Sequence, residues 1–191
     1  IDYLDGGEGS DLYIVASAGE HSAAEFADSG TSGTDEVRFT SAAAATLTLY
    51  ANDSGIEQAV IGTGAAGIAV TTGTTAINID ASQLSSAISL VGNAGVNTLK
   101  GGSGNDTLTG GAGIDILNGG DGSDLYIVAA AADHGAAEFA DSGASGTDEL
   151  RFTATMAATL TLYAGDTGLE QVVIGTGTAP TAVTTATIAS G

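Results

Sequence analysis

Residues 92–127 decide the fold of this chain, and they read GNAGVNTLK GGSGNDTLT GGAGIDILN GGDGSDLYI. The stretch divides into four nonapeptides. Three of them follow the pattern G-G-x-G-x-D-x-U-x, in which U is a large apolar residue, and the first carries Asn at places two and six. Glycines at places one, two and four allow positive φ angles and close backbone approach in a tight turn. The apolar residue at place eight is expected on a very short strand, pointing inward. Two nonapeptides would then form one flat coil.

Because two nonapeptides make one coil, the place-six aspartates of alternate nonapeptides lie on the same edge. Successive coils would lie about 4.8 Å apart, which brings equivalent aspartates together. Two carboxylates at that distance repel each other unless a cation lies between them. Carboxylates and the carbonyls of the glycine turns offer oxygen ligands only, and such sites favour a hard ion such as Ca²⁺. The repeat therefore predicts calcium sites between coils.

The nonapeptide resembles the RTX (repeats-in-toxin, haemolysin-type) calcium-binding repeat, which forms a parallel β-roll. In that family one turn contributes the carbonyls of places one and three with its aspartate, and the next turn on the same edge contributes those of places two and four with its own. The resemblance implies a first site built from Gly101, Ser103, Asp106, Gly120, Gly122 and Asp124. On the other edge it implies a second site, built from Gly92, Ala94, Asn97, Gly111, Gly113 and Asp115. Asn97 departs from the family aspartate, so we expect the second site to be weaker.

A longer repeat contains the nonapeptides. Residues 6–64 align with residues 119–177, and 45 of the 59 positions are identical. Self-similarity of this kind is typical of solenoids built from stacked units. We therefore divide the chain into one continuous solenoid with four features: the tail of a preceding unit (1–5), a full unit (6–118), the nonapeptide block (92–127) and a truncated second unit (119–191).

Further ligands are expected outside the block, because the chain is similar to RTX proteins in an acidic loop followed by Gly-Thr-Asp. This weaker likeness implies four more carboxylate pairs, namely Asp115 with Asp133, Asp124 with Asp148, Asp2 with Glu20, and Asp11 with Asp35. The pairs of Asp2 and Asp11 are expected to lack one face, since no nonapeptide turn precedes them.

The sequence between the nonapeptides predicts short strands at 36–40, 46–50, 57–62, 75–80 and 87–91, which are rich in β-branched residues and bounded by Gly, Ser, Asn and Asp. The segments SAAEFAD (22–28) and GAAEFAD (135–141) have helix-forming composition and predict a single helical turn in each unit. The fold that we expect is all-β, a right-handed parallel β-roll or β-helix solenoid.

Composition excludes several functions. The 23 acidic and three basic residues give a formal charge of -20, which would repel nucleic acid and anionic membranes. The chain has no cysteine, and no apolar run is long enough to span a bilayer. His21 and His134 lack a neighbouring nucleophile or zinc-binding motif, so we expect them in a surface or capping role and expect no enzyme activity.

The two arginines are predicted to form ion pairs between adjacent coils. The expected partners are Glu57 for Arg38 and Glu170 for Arg151, which occupy equivalent places in the two units.

The predicted function is that of a calcium-binding structural repeat module in a secreted bacterial cell-surface or extracellular protein, such as an adhesin or S-layer component. Its expected partners are calcium ions and neighbouring repeat units of the same chain, with cell-surface polysaccharide and self-assembly as further candidates. Two alternatives remain open: the C-terminal secretion and folding module of an RTX enzyme or toxin, and an ice- or carbohydrate-binding face made of threonine rows.

Overall fold

The computed structural model describes residues 2–65 and 67–175. Twelve short strands account for nearly all of the regular structure in this part of the chain. They are β1 (Leu12–Val15), β2 (Glu36–Phe39), β3 (Thr46–Thr48), β4 (Gln58–Ile61), β5 (Asn78–Asp80), β6 (Ser89–Val91), β7 (Thr98–Lys100), β8 (Thr107–Thr109), β9 (Ile116–Asn118), β10 (Leu125–Val128), β11 (Glu149–Phe152) and β12 (Gln171–Ile174). Two 3₁₀ turns, Ala18–Glu20 and Ala131–Asp133, occupy equivalent places in the two units.

The strands form two parallel sheets that stack along one axis. The first sheet has the order β1-β2-β4-β6-β8-β10-β11-β12, and the second has the order β3-β5-β7-β9. Each sheet follows chain order, so the backbone winds from one sheet to the other and back. The eight strands of the first sheet define seven successive coils. The all-β parallel solenoid expected from the nonapeptides is therefore confirmed.

Coil length changes along the molecule. Within the nonapeptide block, Leu108 lies opposite Leu90 and Tyr126, each two nonapeptides away. Outside the block, Val37 lies opposite Tyr13 and Ala59. Compared with a coil of two nonapeptides, the coil from Tyr13 to Val37 is six positions longer and the coil from Val37 to Ala59 is four positions longer. The five predicted strands between the nonapeptides all form, as β2 to β6. The first sheet runs through both repeat units, although the division into units itself remains a prediction.

Place eight of each nonapeptide lines the core. The side chains of Leu99, Leu108, Leu117 and Tyr126 are fully buried. They belong to one continuous hydrophobic cluster that extends into the longer coils. A fully buried aliphatic side chain of this kind contributes roughly 1.5–3 kcal/mol. Outside the block, the chain compensates for its irregular coils with larger core residues, among them Phe26, Phe39, Phe139 and Phe152.

The predicted helical turns at 22–28 and 135–141 are wrong. Phe26 and Phe139 instead form parallel bridges with Leu4 and Leu117, and the second of these bridges continues the second sheet beyond β9. Ala24, with φ of 63°, makes the preceding turn in the left-handed region. Burial of the phenylalanine on an extended backbone overrides the helical propensity of the surrounding alanine and glutamate.

The predicted arginine pairs are also wrong. Arg38 is fully buried and pairs with Glu36, two residues away on the same face of β2. Its guanidinium also donates to the carbonyl of Thr63, 2.9 Å away. Glu57 serves the backbone instead, because its carboxylate accepts the Asp35 N–H at 2.9 Å. The second unit repeats this arrangement, in that Arg151 pairs with Glu149 and Glu170 accepts the Asp148 N–H.

Candidate metal centre

The place-six side chains form buried ladders along both edges of the block. Asp106, Asp115, Asp124 and Asn97 are at most 1% exposed. On one edge the Asp106 N–H donates to Asp124 Oδ1 at 2.7 Å. On the other edge the Asn97 N–H donates to Asp115 Oδ1 at 2.8 Å. The structure thus brings together both of the pairs that the nonapeptide period predicts.

The second carboxylate oxygen, Oδ2, has a hydrogen-bond partner in Asp106 but not in the other two aspartates. Asp106 Oδ2 accepts the Gly102 N–H at 2.8 Å. Asp124 Oδ2 and Asp115 Oδ2 are buried and have no hydrogen-bond partner among the described residues. A buried carboxylate oxygen without a partner is costly, so a proton or a cation beside each of these atoms would be favourable.

Backbone oxygens complete the donor set. The eight carbonyls expected as ligands accept no hydrogen bond from any described residue; they belong to Gly92, Ala94, Gly101, Ser103, Gly111, Gly113, Gly120 and Gly122. The turns that expose them need glycine: Gly120 and Gly122 have φ of 95° and 122°. These free oxygens fit a hard cation, and two carboxylates with four carbonyls would supply six ligands at the first site.

Electrostatics also favours a cation at these turns. Burial raises the pKa of the Asp124 carboxyl to about 7, and the negative charges of Asp106 and Asp148 act in the same direction. Burial raises the pKa of Asp115 to about 6, helped by Glu138 and Asp133. Both shifts show that the negative charge is unfavourable in these turns without a compensating positive charge.

Carboxylates meet here in pairs rather than in larger clusters. Over residues 2–65 and 67–175, no group of three or more His, Cys, Asp or Glu side chains is placed to hold a metal ion. Any ion between coils would therefore take most of its ligands from the backbone, which is what the glycine turns offer.

Two of the four outer pairs are brought together. The Asp124 N–H donates to Asp148 Oδ1 at 2.8 Å, although this coil is six positions longer than a pair of nonapeptides. The Asp11 N–H donates to Asp35 Oδ1 at 2.7 Å in the equivalent place of the first unit. Asp11 Oδ2 is another buried oxygen without a partner among the described residues, like Asp124 Oδ2.

The other two outer pairs are not in register. Leu117 lies opposite Phe139, which places Ala137 rather than Asp133 opposite Asp115. The equivalent bridge from Leu4 to Phe26 places Ala24 rather than Glu20 opposite Asp2. The spacing of two nonapeptides was the wrong guide, because these coils are four positions longer. Glu20 instead accepts the N–H groups of Ala16 and Ser17, both at 3.0 Å, and so caps its own 3₁₀ turn.

Sequence reasoning missed the role of Asp141. The Tyr126 hydroxyl donates to Asp141 Oδ1 at 2.8 Å, and the Gly120 N–H donates to the same oxygen at 2.9 Å. Asp141 thus takes the N–H that corresponds to the Gly102 donor of the preceding coil, which leaves Asp124 Oδ2 unpartnered. The available signal was tyrosine at place eight of the last nonapeptide, where the three others carry leucine.

The same arrangement occurs in the first unit. The Tyr13 hydroxyl donates to Asp28 Oδ1 at 2.7 Å, and the Gly7 N–H donates to that oxygen at 2.9 Å. Both tyrosines are buried, as expected for place eight, but each also organises the carboxylates of its turn.

The two histidines are buried, which corrects the expectation of a surface position. His134 Nδ1 lies 2.8 Å from Glu138 Oε2, and its Nε2 lies 3.2 Å from Asp166 Oδ2. The ring stacks on Phe139 with centroids 4.8 Å apart. Burial opposes the positive charge, but the two carboxylates raise the pKa of His134 overall. The imidazole therefore joins neighbouring segments of the solenoid; His21 occupies the equivalent position.

The chain is a parallel β-solenoid whose paired turns present carboxylate and carbonyl oxygens to each other. Residues 91–126 match the family model of the RTX calcium-binding nonapeptide repeat in four copies, so this part of the chain consists of RTX repeats, as the sequence resemblance implied. No curated protein and no solved structure matches the chain. Among the described residues there is no helix with the length and apolar character needed to cross a membrane.

Proposed function

We propose that this chain is a structural module whose solenoid is made rigid by calcium ions bound between successive coils. The observation that carries the proposal is the buried, unpartnered Oδ2 atom of Asp124, which lies in a turn whose carbonyls are also free of hydrogen bonds from the described residues. The first ion would be held by the two carboxylates of Asp106 and Asp124 and by four carbonyls. The second would lie between Asn97 and Asp115.

The chain's own residues prepare these sites. The carboxylate ladder fixes one oxygen of Asp115 and of Asp124 on a backbone N–H and leaves the other oxygen unpartnered in the turn. Glycine keeps the carbonyls accessible. A bound calcium ion supplies the positive charge that the acidic edges lack, so its binding free energy contributes directly to folding.

The proposal extends to the setting in which the protein works. RTX repeats with sites of extracellular-module affinity, about 10⁻⁴–10⁻³ M, are filled outside the cell and empty in calcium-poor cytosol. We propose that the chain belongs to a secreted bacterial protein, exposed at the cell surface or in the matrix, and has no enzymatic activity of its own. The strongly acidic composition, with a charge of -20, supports export before the solenoid is complete.

An ice-binding face is not part of this proposal. The outward positions of the second sheet place Thr46 beside Asn78 and Thr98 beside Ile116. Threonine therefore alternates with other residue types along this column and forms no regular row within the described strands.

Calcium titration tests the proposed function. We expect calcium, but not magnesium at the same concentration, to raise the melting temperature in calorimetry. The double variant Asp106→Asn with Asp124→Asn should weaken calcium binding by about tenfold or more, because it removes both charged ligands of the first site. Asp121→Asn is the matched control, since Asp121 lies in the same turn with an exposed side chain. Identical melting curves in calcium and in chelator would contradict the proposal.

A further inference from the structure

One asparagine of the chain combines a reactive sequence context with a structural twin. Of the six asparagines, only Asn118 is followed by glycine. It is the last residue of β9 and is half-buried. Asp5 occupies the equivalent place of the first unit and is also followed by a glycine, Gly6. The chain therefore contains the same turn once with an amide and once with the acid that hydrolysis of that amide would give.

An asparagine that precedes glycine can modify itself. The glycine has no Cβ to hinder its backbone nitrogen, which can therefore reach the asparagine Cγ and displace ammonia. The bond between this nitrogen and Cγ closes a cyclic succinimide, while the Cγ–Nδ2 bond breaks and the proton of the attacking nitrogen leaves with the ammonia. Water then opens the ring at either carbonyl and gives aspartate or isoaspartate. The net change is addition of water and loss of ammonia, so no oxidant or reductant is needed.

The folded turn holds the reacting groups of Asn118 and Gly119 in hydrogen bonds. The Gly119 N–H donates to the Tyr126 hydroxyl at 2.7 Å, and Gly119 is buried. The leaving nitrogen, Asn118 Nδ2, donates to Ser142 Oγ at 2.9 Å, and Asn118 Oδ1 accepts the Ser142 N–H at 3.2 Å. The Asn118 carbonyl accepts the Gly101 N–H at 2.8 Å. Ring closure must break several of these contacts, so the reaction is slow in the intact coil.

We propose that Asn118 is a self-modification site, which converts to aspartate or isoaspartate when its coil opens. Opening frees the glycine nitrogen and the asparagine amide from their hydrogen-bond partners at the same time, because both partners lie further along the chain. Asn118 lies between Asp115 and Asp124, whose turns are those proposed to bind calcium. Control of the reaction by calcium therefore rests on the proposed function, whereas the reactive pair itself does not.

The two products differ in whether the coil can close again. The Asp5 carboxylate accepts the Ser29 N–H and the Ser29 hydroxyl, both at 3.0 Å, so an aspartate in place of Asn118 would accept the same two groups from Ser142. Isoaspartate instead routes the backbone through Cγ and adds a methylene group to the chain. Gly119, which lies directly under the Asp124 side chain, is then displaced. Aspartate therefore restores the turn, and isoaspartate leaves a lasting record that the coil has opened.

Incubation of the full chain in mildly alkaline buffer, followed by mass spectrometry of the fragment that contains Asn118, tests this proposal. We expect conversion to be slow in calcium, faster by about tenfold or more in chelator, and fastest in urea, because only the open coil reacts. Asn118→Asp should keep the melting temperature of the wild-type chain in calcium, whereas the purified isoaspartyl chain should melt at a lower temperature.

Two serine variants form a matched pair. Ser142→Ala removes the acceptor of Asn118 Nδ2 and should speed conversion in calcium by about fivefold, the change that corresponds to one ordinary hydrogen bond. Ser29→Ala removes the equivalent contact with Asp5 in the first unit and should leave the conversion of Asn118 unchanged. Equal rates in these two variants would show that the Ser142 contact does not protect the amide.

The outcomes separate this proposal from the proposed function. If calcium raises the melting temperature but Asn118 converts equally fast in calcium and in chelator, the modification proposal is overturned and the proposed function stands. Conversion as fast in calcium as in urea would also overturn it, since the folded turn would then give no protection. If neither the melting temperature nor the conversion responds to calcium, both proposals fail.

Discussion

Whether an aspartate of this solenoid has an unpartnered carboxylate oxygen depends on the hydrogen-bond donors around it. Asp106 and Asp124 occupy the same place in their nonapeptides, yet only Asp106 has a partner for its Oδ2 atom. The difference arises one coil later, where Asp141 accepts the Gly120 N–H. Sites with the same sequence motif are therefore not chemically equal, and Asp124 has the greater need for a cation.

This need predicts an unusual pH dependence in the metal-free protein. The pKa of Asp124 is raised to about 7 and that of Asp115 to about 6, against about 3.9 in an unfolded chain. Between these values the folded state binds more protons than the unfolded state, so the free energy of unfolding falls as pH rises from about 4 to about 7. In chelator we expect a higher melting temperature at about pH 5 than at about pH 7.5.

Calcium should reverse this dependence, because the ion competes with the protons for the same carboxylates. The double variant Asp115→Asn with Asp124→Asn should show a flatter profile in chelator, since neither amide titrates. A wild-type chain whose metal-free form becomes more stable as pH rises through this range would contradict the assignment.

Among the structural elements, the glycine turn of each nonapeptide is the one that imposes the strictest demand on sequence. Its place-one glycine lies directly under the carboxylate of place six, and a methyl group at Gly119 would collide with the Asp124 side chain. The place-two and place-four glycines, such as Gly120 and Gly122, stack against the carbonyls of the previous coil in the same way. Glycine is thus required by contact as well as by dihedral angle.

Gly119→Ala should accordingly disturb the metal site. We expect a loss of about 1–3 kcal/mol in stability, typical of overpacking, together with weaker calcium binding, because Asp124 must move away from the turn. Gly19→Ala is the matched control, since a methyl group at Gly19 meets no atom within 4 Å and its backbone φ is not positive. Denaturant unfolding and calcium titration of both variants measure the difference. Equal effects of the two substitutions would show that the turn tolerates a side chain.

For the molecule as a whole, the important contrast is between the nonapeptide coils and the longer coils. The nonapeptide coils bury one leucine or tyrosine per strand, whereas the longer coils bury phenylalanines as well. On the proposed function, the first kind depends on calcium for its stability, and the second depends on apolar burial. On chelation we expect faster hydrogen exchange mainly within residues 92–127, with β2 and β11 retaining more protection. Uniform exchange along the chain, with or without calcium, would contradict this division.

The regular part of this architecture could be predicted from sequence, and the irregular part could not. The period of two nonapeptides correctly predicts that Asp106 lies beside Asp124. It also correctly predicts that Asn97 lies beside Asp115. Asp133 does not lie where this period places it, because the coil that follows Asp115 is lengthened and no local pattern marks how long the next coil will be. The pairing of Arg38 with Glu36 could not be predicted either. It depends on burial of the guanidinium beneath the loop that contains Thr63 and Gly64, and no local sequence pattern indicates that this loop covers β2. Asp148 was found only because a motif marked it.

The order of the strands has a mechanical consequence. Because both sheets follow chain order, tension applied between the two ends acts on the hydrogen bonds between neighbouring coils in series, and coils peel away one at a time. A coil of two nonapeptides occupies about 4.8 Å of the axis but spans about 60 Å when pulled straight. Each coil that detaches under load therefore lengthens the chain by about 55 Å and dissipates work before the next coil detaches. On the proposed function, an ion bound between two coils would raise the force at which that step begins, so calcium concentration would set the compliance of the solenoid.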